Sequence, residues 1–140
     1  MPARKYVDAV DLVNTHWPTI GPHTDETIAS ASLAISELYR YLAHATRSGK
    51  ALPYIGDGYR VLGSLAAGAG SAQQVAMQLG EWAAGLADSP DLVHDNGGNP
   101  AATAGMVVNE LVTTGGAFGR AATALGRAQS ALGHLYHDGE

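Results

Sequence analysis

Residues 111–133 read LVTTGGAFGRAATALGRAQSALG, in which Leu111, Phe118, Leu125 and Leu132 recur every seven residues while Gly119, Gly126 and Gly133 repeat in step beside them. A seven-residue apolar repeat keeps one stripe of an α-helix facing a partner, so this segment is built to pack lengthwise against other helices. Its glycines leave a groove along one side, to be filled by a helix of the same domain or by one from a second subunit. Asn99 followed by Pro100 is a helix start, the first as cap and the second as an opening residue that needs no N–H partner. No proline follows Pro100. The expected helix covers about 100–136, about 55 Å at 1.5 Å per residue, and His137 to Glu140 should fray.

Further upstream, 88–100 is the longest non-periodic stretch and holds Ser89-Pro90 and Asn96-Gly97-Gly98-Asn99, which are turn residues. Before it, Gly58, Leu65, Ala72, Leu79 and Leu86 form one heptad column, with Val61, Gly68, Val75 and Trp82 as its companion. The register runs unbroken through Gly68-Ala69-Gly70-Ser71, whose glycines each cost roughly 1 kcal/mol against alanine in a helix interior. We expect one helix from about 53 to 87, opened by Pro53 in its first turn, with a bend near Gly70 left open. A third seam is Ile28, Ile35 and Leu42, with Ala31, Leu38 and Ala45 three residues behind each. Thr24 caps it and Asp25 and Glu26 fill its first turn, giving a helix over about 24–47. Tyr6, Val10 and Val13 then mark a short amphipathic helix over about 4–15, followed by a loop with Pro18, Gly21 and Pro22. The expected fold is all-α: one domain over 1–140, an antiparallel bundle of three long helices plus the short amino-terminal one.

Composition narrows the function classes. Alanine and glycine dominate the apolar set, with Phe once and Trp twice, so the core must gain its dispersion energy from close backbone approach rather than from large side chains. Eight Lys plus Arg against thirteen Asp plus Glu give a net charge of −5, which disfavours nucleic acid as a partner. The absence of cysteine removes disulfides, thiolate nucleophiles and sulfur-ligated metals. The amino terminus lacks the apolar run of a secretory signal, and no stretch of about eighteen apolar residues suggests a membrane span. The expectation is a cytoplasmic protein without cofactor.

No catalytic, metal or nucleotide motif stands out. Glu37, Arg40, His44 and Arg47 share one helical face opposite the Ile28/Ile35/Leu42 seam and read as a solvated, charge-paired surface. Tyr39, Tyr41, Tyr54 and Tyr59 fall within about twenty residues of one another, alongside Asp57 and Arg60. In a hairpin of the second and third helices they would gather at one end, either as edge packing or as a binding surface. With Trp82 added, Tyr39, Tyr41, Tyr54, Asp57 and Arg60 form the candidate small-molecule pocket. His134 and His137 are one turn apart, but a zinc site needs three or four ligands, and Asp138 and Glu140 lie in a tail expected to be mobile. Asp95 to Asn99 lacks the acidic alternation and closing glutamate of a calcium loop, and Gly56, Gly58 and Gly63 lack the lysine of a phosphate loop. Gly115 and Gly119 match the spacing of membrane helix dimers, but Asn109, Glu110, Arg120 and Arg127 interrupt any membrane-length run.

The segments 37–46 (ELYRYLAHAT), 59–65 (YRVLGSL) and 128–135 (AQSALGHL) resemble small Ala/Gly-rich all-helical proteins of actinobacteria, over most of the chain from about residue 24. The resemblance implies a bacterial cytosolic origin and carries no activity. The secreted helical hairpins of the type VII pathway place a Trp-x-Gly turn between helices, which neither Trp17-Pro18-Thr19 nor Trp82-Ala83-Ala84 supplies. Long seams and small-residue stripes specify helix partners rather than a reacting centre. The expected function is a non-enzymatic interaction module forming a homodimer or higher homo-oligomer, with Leu111, Phe118, Gly119, Leu125, Gly126 and Leu132 at or near the contact. The alternative is a small-molecule binding or sensor protein using the tyrosine-lined pocket.

Overall fold

The computed structural model describes residues 7–139, and these are all-α: α1 (Ala9–His16), α2 (Asp25–Ala45), α3 (Ile55–Ala87) and α4 (Pro100–Leu132), with one 3-10 turn at Gly49–Ala51. The chain divides into two compact units, one ending at Ala51 and the other starting at Leu52. Among the described residues, no helix is long and apolar enough to cross a membrane.

In the first unit, α1 starts later than its apolar spacing suggested. The Asp8 carboxylate accepts from the Asp11 N–H at 3.1 Å, which fixes the cap at Asp8. Residues 4–6 of the expected helix lie outside the described residues. Trp17 closes α1, and its indole N–H donates to the Ser30 hydroxyl of α2 at 2.8 Å. Thr24 is the cap of α2 as expected: its hydroxyl accepts from the Thr27 N–H at 3.1 Å, and the Thr24 N–H donates to the Thr27 hydroxyl at 2.9 Å. The helix ends at Ala45, two residues short of expectation, where the Thr46 hydroxyl bonds back to the Leu42 carbonyl at 2.7 Å.

The second unit is a helical hairpin. Pro53 lies outside α3 rather than in its first turn, because Tyr54 is the cap and its N–H donates to the Asp57 carboxylate at 3.1 Å. From Ile55 the helix runs 33 residues, unbroken through Gly68 to Ser71. Packing along the whole helix outweighs the local cost of its glycines. Asn99 caps α4, accepting from the Ala102 N–H at 3.2 Å, with Pro100 in the first turn. The helix ends at Leu132, four residues before the expected Tyr136. Gly133 follows as cap, and the His134 and Leu135 N–H groups bond to the carbonyls of Ala131 and Leu132, tightening the chain out of the helix.

α3 and α4 pack against each other along their length. Leu132 lies against Gly58, Gln129 against Gly63, Gln73 against Gly119, Ala76 against Gly115 and Leu111 against Gly80. Each step up one helix matches a step down the other, so the pair is antiparallel. The twelve-residue connection between Ala87 and Pro100 turns at Gly97, whose φ of 78° is the left-handed conformation glycine adopts without strain.

Candidate interaction surface

The seam of the hairpin is made of small residues. Among the described residues the buried ones are Ala69, Ala76, Gly80 and Ala83 on α3 and Ala104 and Gly115 on α4; Ala83 is wholly inaccessible. Ala69, Ala76 and Ala83 are themselves seven apart, so the heptad on α3 is real but belongs to a different column from the larger one singled out in the sequence. The column Val61, Gly68, Val75 and Trp82 turns away from α4: Val75 and Trp82 are exposed, and open space lies over Gly68. Alanine and glycine let two backbones approach, and each close approach gathers many weak dispersion contacts. The larger side chains, being wider than the gap, are left on the flanks.

Two glutamines key the seam, one near its middle and one toward the end where Gly58 meets Leu132. Gln73 of α3 fills the notch over Gly119, its amide within 3.3 Å of where a Cβ at 119 would sit. Gln129 of α4 fills the notch over Gly63, and its amide donates to the Tyr59 carbonyl at 3.2 Å. The groove expected beside Gly119, Gly126 and Gly133 is therefore partly taken up within the chain. Gly119 holds Gln73, Gly133 faces the Tyr59 ring, and Gly126 alone has nothing within 4 Å.

Helical rotation of about 100° per residue places what remains on the two sides of the hairpin. On one side stand Val75, Leu79, Trp82 and Leu86 from α3 and Val107, Leu111, Phe118 and Leu125 from α4. Leu86 and Val107 line one small cavity together with His94 and Leu92 of the connection, which joins the two stripes at that end. This face is largely apolar, with Thr114 between Leu111 and Phe118 and Glu110 at its margin. The other side carries an open groove of about 500 Å³ lined by Met77, Ala84, Val108 and Val112 with Glu81 at its rim. It continues past Gln73 to Arg120, Thr123 and Arg127.

The remaining candidate residues lie apart. Tyr54, Asp57 and Arg60 share the first turns of α3, where Asp57 is occupied as a capping group and pairs with the exposed Arg60 guanidinium at 3.1 Å. Trp82 is about 42 Å farther along the same continuous helix, so it shares no pocket with Tyr54. Tyr39 and Tyr41 are in the first unit, both exposed and two residues apart on α2, which sends them to different faces. Glu37 and Arg40 pair at 3.6 Å with both side chains exposed. His134 and His137 fall after α4 has ended, off the helical turn that would have aligned them. Among the described residues no group of three or more His, Asp or Glu side chains is placed to hold a metal ion. The residues missed in the sequence are Ala69, Ala76, Ala83, Gln73 and Gln129; the seven-residue alanine repeat was the available signal. Comparison with known proteins finds no matching family model, no matching curated protein and no matching solved structure.

Proposed function

We propose that this chain is a non-enzymatic helical interaction module that self-associates through its long apolar seams, completing an antiparallel bundle. One observation carries the reading: every buried residue among those described is an alanine or a glycine, while the side chains with most hydrophobic energy to gain stand open. Trp82 is 62% exposed, and Ile28 and Ile35, on the α2 seam, are 63% and 58% exposed. Burying a Leu, Ile or Val side chain is worth about 1.5–3 kcal/mol. A chain that presents such residues in heptad order on long helices gains that energy by pairing with other helices. Leu111 and Leu125 are half-buried, Leu111 against Gly80, Phe118 is exposed, and Gly119 is engaged by Gln73.

Native mass spectrometry on protein purified without added ligand tests this. The expected result is a dimer or higher multiple with no extra mass. A monomer at all accessible concentrations overturns the reading. A second reading, a small-molecule binding protein, draws on the apolar groove beside Met77, Val108 and Val112, whose volume of about 500 Å³ is of the size ligand sites have. A monomer retaining a few hundred daltons of additional mass would favour it.

A further inference from the structure

We infer that the open groove on the Met77 side of the hairpin binds a long-chain carboxylate, its hydrocarbon chain lying in the apolar trough between α3 and α4 and its head group meeting the Arg120 guanidinium at the end of that trough. This rests on the second reading above, the small-molecule binding protein, and names the class of ligand. It is independent of self-association.

The trough suits a hydrocarbon chain because its floor is made of the residues that let the helices approach. Ala76, Gly80 and Gly115 are buried at its base, and Met77 and Val112 rise as its walls. From Ala84 to Gln73 it runs about 16 Å at 1.5 Å per residue. With a volume of about 500 Å³ its section averages about 30 Å², room for one extended chain and well below that of a helix 10–12 Å across.

Charge fixes the sign of the ligand and its direction. At Gln73 and Gly116 the trough passes into the polar stretch that carries Arg120, Thr123 and Arg127. Arg120 folds back toward this junction, its Nη1 lying 3.4 Å from where a Cβ at Gly116 would sit. Among the described residues neither Arg120 nor Arg127 has an ion-pair or hydrogen-bond partner. No acid occurs between Gly58 and Gly80 or between Leu111 and Leu132 to supply one from the hairpin. Glu81 stands on the rim about 12 Å along α3 from Gln73, where it repels an anion. An anionic head group is thereby directed to the Arg120 end, and the planar guanidinium fork matches the two oxygens of a carboxylate.

The test titrates the full chain with sodium decanoate, below the concentration at which it forms micelles, and with decan-1-ol, the same chain without the charge. Calorimetry gives the affinity and stoichiometry, and spectra of 13C-methyl methionine give the place. One decanoate per chain should bind, shifting the Met77 methyl and not that of Met106, which is exposed on the outer face of α4. Octanoate should bind about tenfold more weakly, because two fewer CH2 groups leave water. Arg120→Gln, at an exposed position, should weaken decanoate at least about fivefold and leave decan-1-ol unchanged. Val112→Asp, in the trough wall, should weaken both. If decan-1-ol shifts Met77 as decanoate does and Arg120→Gln changes neither, the carboxylate assignment fails while the small-molecule reading stands. If neither ligand shifts Met77, both fail. Many decanoates per chain, or equal shifts at Met77 and Met106, mean adsorption to exposed apolar surface and overturn the site. So does decanoate binding that weakens as protein concentration rises, which would place a second copy in the trough. If Arg120→Gln loses its helicity by circular dichroism, Arg120→Ala replaces it and the same loss of affinity is required.

Discussion

Alanine at 69, 76 and 83 and glycine at 80 and 115 decide how closely α3 and α4 approach. Ala76 and Gly115 are in van der Waals reach, a Cβ added at Gly115 lying 3.8 Å from the Ala76 Cβ. A methyl at Gly115 or Gly80 would meet ordinary van der Waals contact, but a larger side chain in the seam would push the two helices apart. Ala83→Leu should destabilise the chain by about 1–3 kcal/mol, because a wholly inaccessible methyl has nowhere to grow. Glycines off the seam behave oppositely. Gly70 and Gly105 are in helix interiors with nothing within 4 Å of a new Cβ. Gly70→Ala and Gly105→Ala should each stabilise by up to about 1 kcal/mol by removing backbone freedom from the unfolded chain. Thermal melts followed at 222 nm separate the cases: the alanine variants should melt a few degrees higher, and Ala83→Leu lower. A lower melting temperature for Gly70→Ala would mean that this position contacts a partner helix.

Each helix announces its start through a capping group, and the caps account for where the boundaries fall. Thr24 and Asn99 were legible from sequence because the capping residue is immediately followed by an acidic first turn or by proline. Asp8 and Tyr54 were not. The apolar spacing at 6–13 extended the expected α1 too far upstream, and Pro53 drew the start of α3 two residues early, although Asp57 was waiting to bind the Tyr54 N–H. Asn99→Ala should cost about 1 kcal/mol through loss of the bond to the Ala102 N–H, and amide hydrogen exchange over 101–104 should quicken most. Arg60→Ala should leave the melting temperature nearly unchanged, since the exposed pair with Asp57 is screened by water. Loss of several degrees there would assign Arg60 a structural role beyond that pair.

At the level of the whole chain, the hairpin's thin seam and its large open side chains set how stability should respond to conditions. A module held together by pairing of apolar faces gains stability from its own concentration. The melting temperature should rise with protein concentration, and the assembly should persist in molar sodium chloride, because apolar burial is not weakened by ionic screening. A concentration-independent melting temperature, or dissociation by salt, would argue against apolar self-association.

Local chemistry alone wrote much of this architecture: caps, prolines and seven-residue repeats act within a turn or two of the backbone, so the all-α class and the extents of α2, α3 and α4 were legible to within a few residues. The direction each helix faces is a different kind of fact. On α3 the alanine column stands beside the heptad column of Val61, Val75 and Trp82, and hydrophobicity favours the latter. Packing turned the alanine column inward instead, because the gain from two backbones in close approach depends on the shape of the partner surface. Gln73 and Gln129 take their places for the same reason. A glutamine reads as surface until a glycine notch on the facing helix gives it somewhere to lie.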